Sequence, residues 1–112
     1  MQTKTKKKYI YISGKISGLS EAEYIANFEA AKQYLIEQGY EAVSPLDYTG
    51  TDWEYGRCLL ACTKLLKLCG EIYLLDNYID SNGAMIELEI AYLMKRINPD
   101  FKIIHEINLK NK

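Results

Sequence analysis

Short apolar runs alternate with helical stretches along this chain, and this alternation limits its fold more than any other feature. The runs KYIYIS, YEAVSP, EIYLLD and FKIIHEI have the length of strands, and three stretches with helical periodicity separate them. Strands that alternate with helices pair in parallel through right-handed crossovers. The sequence therefore predicts an α/β fold, a Rossmann/flavodoxin-like open sheet of about four to five mostly parallel strands with helices on both faces.

Local signals predict where the helices begin and end. Ser20 and Glu23 form an S-x-x-E capping box at the start of the first helix, and Gly39 ends it. The second helix is predicted from about Trp53 to Leu68. The third helix is predicted within DSNGAMIELEIAYLMKR, residues 80–96.

Length and charge indicate one globular domain. Residues 1–7 are predicted to be a flexible Lys-rich tail, and residues 8–112 a single domain. A net charge of -1 gives no electrostatic reason to expect binding to nucleic acid or to a membrane surface. No apolar run approaches the ~20 residues of a membrane-spanning helix, and the Lys-rich start lacks the apolar core of a signal peptide. We therefore expect a cytoplasmic protein.

The three cysteines share one face of the second predicted helix. Cys58, Cys62 and Cys69 have the spacing of small buried side chains rather than of a disulfide framework. The only histidine, His105, is distant in sequence. No metal or cofactor is expected.

Ligands of open α/β sheets bind beyond the carboxyl ends of the strands. The residues predicted there carry hydroxyls, glycines and carboxylates: Ser13, Gly14, Lys15, Ser17 and Gly18 after the first strand, Asp47 after the second, and Asp76, Asn77, Asp80, Ser81, Asn82 and Gly83 after the third. The loop SGKISG has neither the P-loop order nor G-x-G-x-x-G, so by itself it also fits a plain strand-to-helix turn.

The segment DSNG is a more specific signal of a ligand site than the loop SGKISG, because it begins a helix. Ser81 or Asn82 can cap the helix, and Gly83 allows a ligand to approach the free backbone N–H groups. A helix start of this kind favours an anion such as phosphate, or a sugar hydroxyl.

Two acids, Glu87 and Glu89, interrupt the apolar pattern of this third helix. At ~100° per residue they lie ~200° apart, so they cannot form a carboxylate pair. Glu87 lies one turn after Gly83 on the same face, and its side chain tilts towards the helix start. Glu87 is either an acid that faces a ligand or one whose oxygens accept hydrogen bonds from nearby backbone or a tyrosine. Glu89 is better interpreted as a residue of the surface or of a contact with a partner.

The same segments resemble a known family. YIYISGKISG, NFEAAKQYLIEQGYEAVSP, WEYGRCLLACTKLL and CGEIYLLDNYIDSNGAMIELEIA are similar to the small phage and bacterial relatives of the nucleoside 2-deoxyribosyltransferases. The most specific piece is S-x-G-x-x-x-E, here Ser81, Gly83 and Glu87, which also resembles the 2′-deoxynucleoside 5′-monophosphate N-glycosidases.

The resemblance implies a glycosidic chemistry with Glu87 as the catalytic nucleophile. It implies that Ser81 and Gly83 hold the 5′ end of the sugar or its phosphate, and that Tyr11 lies beside sugar and base. The loop GKISG matches a family loop that closes over the ligand. The implied substrate is a small nucleoside or nucleotide, and the implied outcome is hydrolysis or base transfer.

Three positions depart from the family pattern. Cys62 stands where the family often has an aspartate that orients the nucleophile, and Gly70, next to Glu71, stands where an acid often precedes the third strand. Ser17 stands where the monophosphate hydrolases have a basic residue. A phosphate would then depend on Lys15 and backbone N–H groups. A nucleotide-binding or sensing module without turnover, and a structural protein that binds a partner, remain alternatives.

The third predicted helix is apolar nearly all round, which predicts cover on more than one side. We expect a homodimer or larger homo-oligomer that buries positions such as Leu88, Tyr92 and Met94.

Overall fold

A computed structural model describes residues 8–50 and 52–110 and contains one four-stranded, all-parallel sheet in the order β2-β1-β3-β4. The predicted α/β open sheet is therefore confirmed, while the predicted tail, residues 1–7, lies outside the described residues. The elements are β1 (Tyr9–Ser13), α1 (Glu21–Glu37), β2 (Glu41–Val43), α2 (Tyr55–Lys67), β3 (Glu71–Leu74), α3 (Asn82–Ile97), β4 (Lys102–His105) and α4 (Glu106–Lys110).

Strand β1 lies in the interior of the sheet, and its side chains alternate between two apolar cores. Ile10 and Ile12 pack with residues of α1 on one face, whereas Tyr11 packs with residues of α2 and α3 on the other. All three side chains are fully buried. Helices therefore cover both faces of the sheet, as predicted.

The helix signals agree with the structure to within about two residues. Ser20 Oγ accepts the backbone N–H of Glu23, and the Glu23 carboxylate accepts the N–H of Ser20, which completes the predicted capping box. Gly39 follows α1 with a φ of 92°, a left-handed conformation that favours glycine. Helix α2 begins at Tyr55, two positions after the predicted start.

The fourth strand is shorter than predicted. FKIIHEI indicated a strand through residue 107, but β4 ends at His105 and α4 begins at Glu106. The last residue of β3, Leu74, pairs with His105, so the chain beyond this point has no neighbouring strand to continue the ladder. The Glu106 carboxylate instead accepts the backbone N–H of Asp76.

Some of the α3 residues that were predicted to form an oligomer interface pack inside the subunit instead. Leu88 is buried in the core beside α2, so it is not free to form an interface, whereas Met94 packs against the same cluster and is half-buried, and its place in an interface stays a prediction. Tyr92 remains exposed. With it, four further apolar side chains form an exposed surface along α3, the α3 stripe: Met85, Ile86, Tyr92, Leu93 and Ile97.

Two further features are the polarity of the helices and the state of the cysteines. Within the described ranges, no helix is long and apolar enough to cross a membrane. All three cysteines are free, and Cys69 is buried while Cys58 and Cys62 are half-buried.

The α3 stripe predicts that a second copy of this chain covers it. Glu89 and Arg96 flank Tyr92 and Leu93 symmetrically, and neither has an ion-pair partner among the described residues. Antiparallel packing of two α3 helices would therefore place Glu89 of one copy opposite Arg96 of the other. We expect a dimer at micromolar concentration in light scattering, and Leu93→Lys, which puts a charge into the interface, should give a monomer.

The control is Leu60→Lys, which makes the same change at an exposed leucine of α2, away from the stripe. This variant should remain a dimer. A monomeric parent protein, or equal dissociation by both substitutions, would contradict the assignment of the interface to α3.

Candidate active site

Two hydroxyl groups from one strand converge on one carboxylate of α3. Tyr11 donates its phenolic hydrogen to Oε2 of Glu87 at 2.7 Å, and Ser13 donates its hydroxyl to Oε1 of the same residue, also at 2.7 Å. Residues two apart on a strand share a face, so Tyr11 and Ser13 both point towards the helices that cover this side of the sheet. Among the described residues each carboxylate oxygen accepts one hydrogen bond, although such an oxygen can accept two.

The beginning of α3 places Glu87 beside a helix N-terminus. Ser81 is the N-cap residue, and its Oγ accepts the backbone N–H of Ala84 at 3.1 Å. Asn82 and Gly83 are the first helical residues, and their N–H groups have no partner within the helix. The sequence left Ser81 and Asn82 as alternative caps, and the structure assigns the cap to Ser81.

Glu87 is a buried acid whose ionised form is supported by hydrogen bonds. Its side chain is 6% exposed. Burial raises the pKa of the Glu87 carboxyl above its ordinary value, and the hydrogen bonds from Tyr11 and Ser13 act in the opposite direction. The carboxylate is therefore costly to ionise, yet it is held by two donors that favour the charged form.

The neighbours of Glu87 keep their protons. Burial, followed by the charge of Glu87, raises the pKa of Tyr11 well above its usual value, so the phenol remains a donor. Burial raises the pKa of the Cys62 thiol to about 11, and the charges of Glu87 and Cys58 add to this effect, while the hydrogen bond with Tyr11 lowers it. A neutral Cys62 beside Tyr11 is a poor nucleophile. Neither Tyr11 nor Cys62 is therefore an anion at neutral pH.

A cavity of about 960 Å³ lies in front of this cluster. Its walls are the loop after β1, the start of α1, the segment from Pro45 to Trp53, one side of α2 and the first two turns of α3. The volume is in the upper part of the range for small-molecule sites, roughly 300–1,000 Å³. The cavity can hold a ligand of nucleoside size.

The structure brings seven of the ten predicted site residues to this cavity: Tyr11, Gly14, Ser17, Ser81, Asn82, Gly83 and Glu87. Gly14 is also required for packing, because a Cβ atom there would lie 2.5 Å from Cδ1 of Leu75. Glu87 is buried and Glu89 exposed, as their separation around the helix predicts, although Glu89 also lines the cavity.

Three predicted residues do not line the cavity. The backbone N–H of Lys15 donates to Oδ1 of Asn77, and its side chain lies over Gly18, whose φ is 89°. Asp47 forms a salt bridge of 2.9 Å with Lys32 of α1. A role for Lys15, Gly18 or Asp47 in ligand binding stays a prediction.

Sequence reasoning missed two contributions. Ser13 was placed at the end of the first strand without a function, although its position two residues after Tyr11 could have indicated a shared face. Trp53 lines the cavity from the connection between β2 and α2, where no spacing pattern pointed to it.

The stability of the protein should report on the buried charge. Because the pKa of Glu87 is raised in the folded state, its contribution to stability is complete below its ordinary value of 4.5 and is lost as the pH rises through the native value. Glu87→Gln replaces this group with one that does not ionise, so it should raise the free energy of unfolding at about pH 7.5, and the gain should shrink towards about pH 4.5. Urea denaturation at both pH values measures the difference.

The matched control is Glu29→Gln, an exposed acid of α1 outside the cavity. We expect it to change stability by less than about 0.5 kcal/mol at either pH. A Glu87→Gln variant that is less stable than the parent at about pH 7.5 would show that burial of the Glu87 carboxyl does not lower the stability of the protein.

Comparison with known families places the chain by sequence. The family model described as "Domain of unknown function (DUF4406)" matches residues 8–97, which include both β1 and α3 and all ten predicted site residues. No curated protein matches the sequence. The match extends over far more than half of the chain, and the protein is therefore a member of the DUF4406 family.

Proposed function

We propose that the protein cleaves the N-glycosidic bond of a 2′-deoxynucleoside or its 5′-monophosphate, with Glu87 as the nucleophile. The observation that carries the proposal is the pair of 2.7 Å hydrogen bonds that hold a buried Glu87 carboxylate beside the cavity, one turn from the start of α3. The S-x-G-x-x-x-E resemblance to the nucleoside 2-deoxyribosyltransferases supports the same chemistry.

The first step forms a covalent ester. An oxygen of Glu87 attacks the anomeric carbon while the bond to the base nitrogen breaks, and its electron pair leaves with the base, which takes up a proton from water. The transition state has oxocarbenium character, which a nearby carboxylate stabilises. In the second step water attacks the ester and gives the free sugar, or a second base attacks and gives a new nucleoside.

Tyr11 and Ser13 have a positioning role in this scheme. Their hydroxyls fix the plane of the carboxylate and favour its ionised form, which is the nucleophile. Tyr11 cannot take a proton from the substrate because its raised pKa keeps it protonated.

A nucleotide-binding module without turnover is the second candidate function. Cys62 favours it, because a neutral thiol stands beside Tyr11 where the resembled enzymes often have an acid that orients the nucleophile. Such a module would bind the same ligand and release no base.

Base release from deoxynucleosides and their monophosphates tests the proposal. We expect free base in chromatography of reactions with the parent protein, and a loss of at least about a thousandfold in kcat for Glu87→Ala and Glu87→Gln, because the nucleophile is gone. Ser13→Ala should stay active, but the acidic limb of its pH–rate profile should move to higher pH, because a hydrogen bond that lowers the pKa of Glu87 is lost.

Glu29→Gln serves as the control and should keep the parent activity. Binding of nucleosides without any base release would favour the binding module. Base release that survives both Glu87 substitutions would show that another residue carries the reaction.

A further inference from the structure

The charges that line the cavity bear on whether the ligand carries a 5′-phosphate. Four carboxylate side chains line it: Glu21, Asp80, Glu87 and Glu89. Among residues 8–50 and 52–110, no lysine or arginine side chain does so. A nucleoside monophosphate carries a charge of about -1.5 to -2 at pH 7, so the acidic side chains with which this subunit lines the cavity repel it.

Three basic side chains of neighbouring segments make other contacts. Lys15 lies over Gly18, and Lys32 forms the salt bridge with Asp47. Arg57 lies on the indole ring of Trp53, with Cζ 3.6 Å from the ring centroid, and it does not line the cavity although Trp53 does. None of the three side chains lines the cavity.

Asp80 lies next to the start of α3, where the resemblance to the deoxyribosyltransferases implies that the 5′ end of the sugar is held. It is an exposed residue that comes directly before Ser81, the cap of α3, and it lines the cavity together with Asn82 and Gly83, whose first-turn N–H groups have no partner within the helix. A hydroxyl suits this pair of groups, because it can donate to the carboxylate and accept from an N–H. A phosphate has only acceptors to offer and would meet the carboxylate as a like charge.

We propose that the cavity selects the unphosphorylated 2′-deoxynucleoside over its 5′-monophosphate, with Asp80 as the residue that recognises the free 5′-hydroxyl. The inference rests on the proposed function in taking a deoxynucleoside as the ligand. It decides between the two substrate classes that the resemblance leaves open.

The remaining walls suit the uncharged parts of such a ligand. Trp53, Leu59 and Ile25 present apolar surface to the cavity, and Trp53 is held in place at its edge by Gly50, where a Cβ atom would lie 2.7 Å from Nε1. A flat base can lie against this surface without meeting a charge. The polar groups of the cavity, at Glu87 and at the start of α3, would then surround the sugar.

A comparison of matched substrates tests the selectivity. For one base, we expect kcat/KM for the deoxynucleoside to exceed that for its monophosphate by at least about tenfold at low salt, because of like-charge repulsion. About 0.5 M NaCl should reduce this ratio by screening the repulsion, without an equal effect on the nucleoside alone. Asp80→Lys should lower the ratio through a gain in kcat/KM for the monophosphate, and Glu29→Lys, the same charge change outside the cavity, should leave the ratio unchanged.

Ligand binding separates this inference from the proposed function. Trp53 is the only tryptophan of the chain and lines the cavity, so its fluorescence reports on occupancy even if no base is released. Tighter binding of the nucleoside without turnover would support the selectivity and remove the enzymatic proposal. Equal or tighter binding of the monophosphate, a ratio that does not respond to salt or to Asp80→Lys, or binding of neither ligand would overturn the inference.

Discussion

The two hydrogen bonds from strand β1 to Glu87 are the interaction on which the rest of this account depends. A carboxylate that is 6% exposed is expensive to bury unless its oxygens accept hydrogen bonds, and here both oxygens do. The bonds also tie the interior strand of the sheet to the helix that lines the cavity. One contact therefore sets the position of the acid, favours its ionised form and joins two elements that are distant in sequence.

Helix α3 has two different sides, and each has a different consequence. The side that faces the sheet carries Glu87 and Leu88, and the outer side carries the α3 stripe with Glu89. The first two turns of the outer side also line the cavity, through Met85, Ile86 and Glu89. A second subunit on this side would therefore border the ligand as well as cover apolar surface.

The elements of the sheet and the core of the site follow from local sequence signals. Alternating strands and helices, the Ser20 capping box and the spacing of Ser81, Gly83 and Glu87 each depend on neighbouring residues, so the sequence displays them directly. The length of β4 depends instead on where its partner β3 ends, and FKIIHEI contains no sign of that limit. The cavity wall at Trp53 and the position of Lys15 depend on how loops pack, which no spacing rule encodes.

The most direct measurement is a crystal structure of the protein with a bound deoxynucleoside that is not turned over. We expect the ligand in the cavity, with its anomeric carbon roughly 3–3.5 Å from a Glu87 oxygen and the Tyr11 and Ser13 hydrogen bonds intact. A nucleoside bound elsewhere, or bound in the cavity with its anomeric carbon beyond the reach of Glu87, would contradict this expectation.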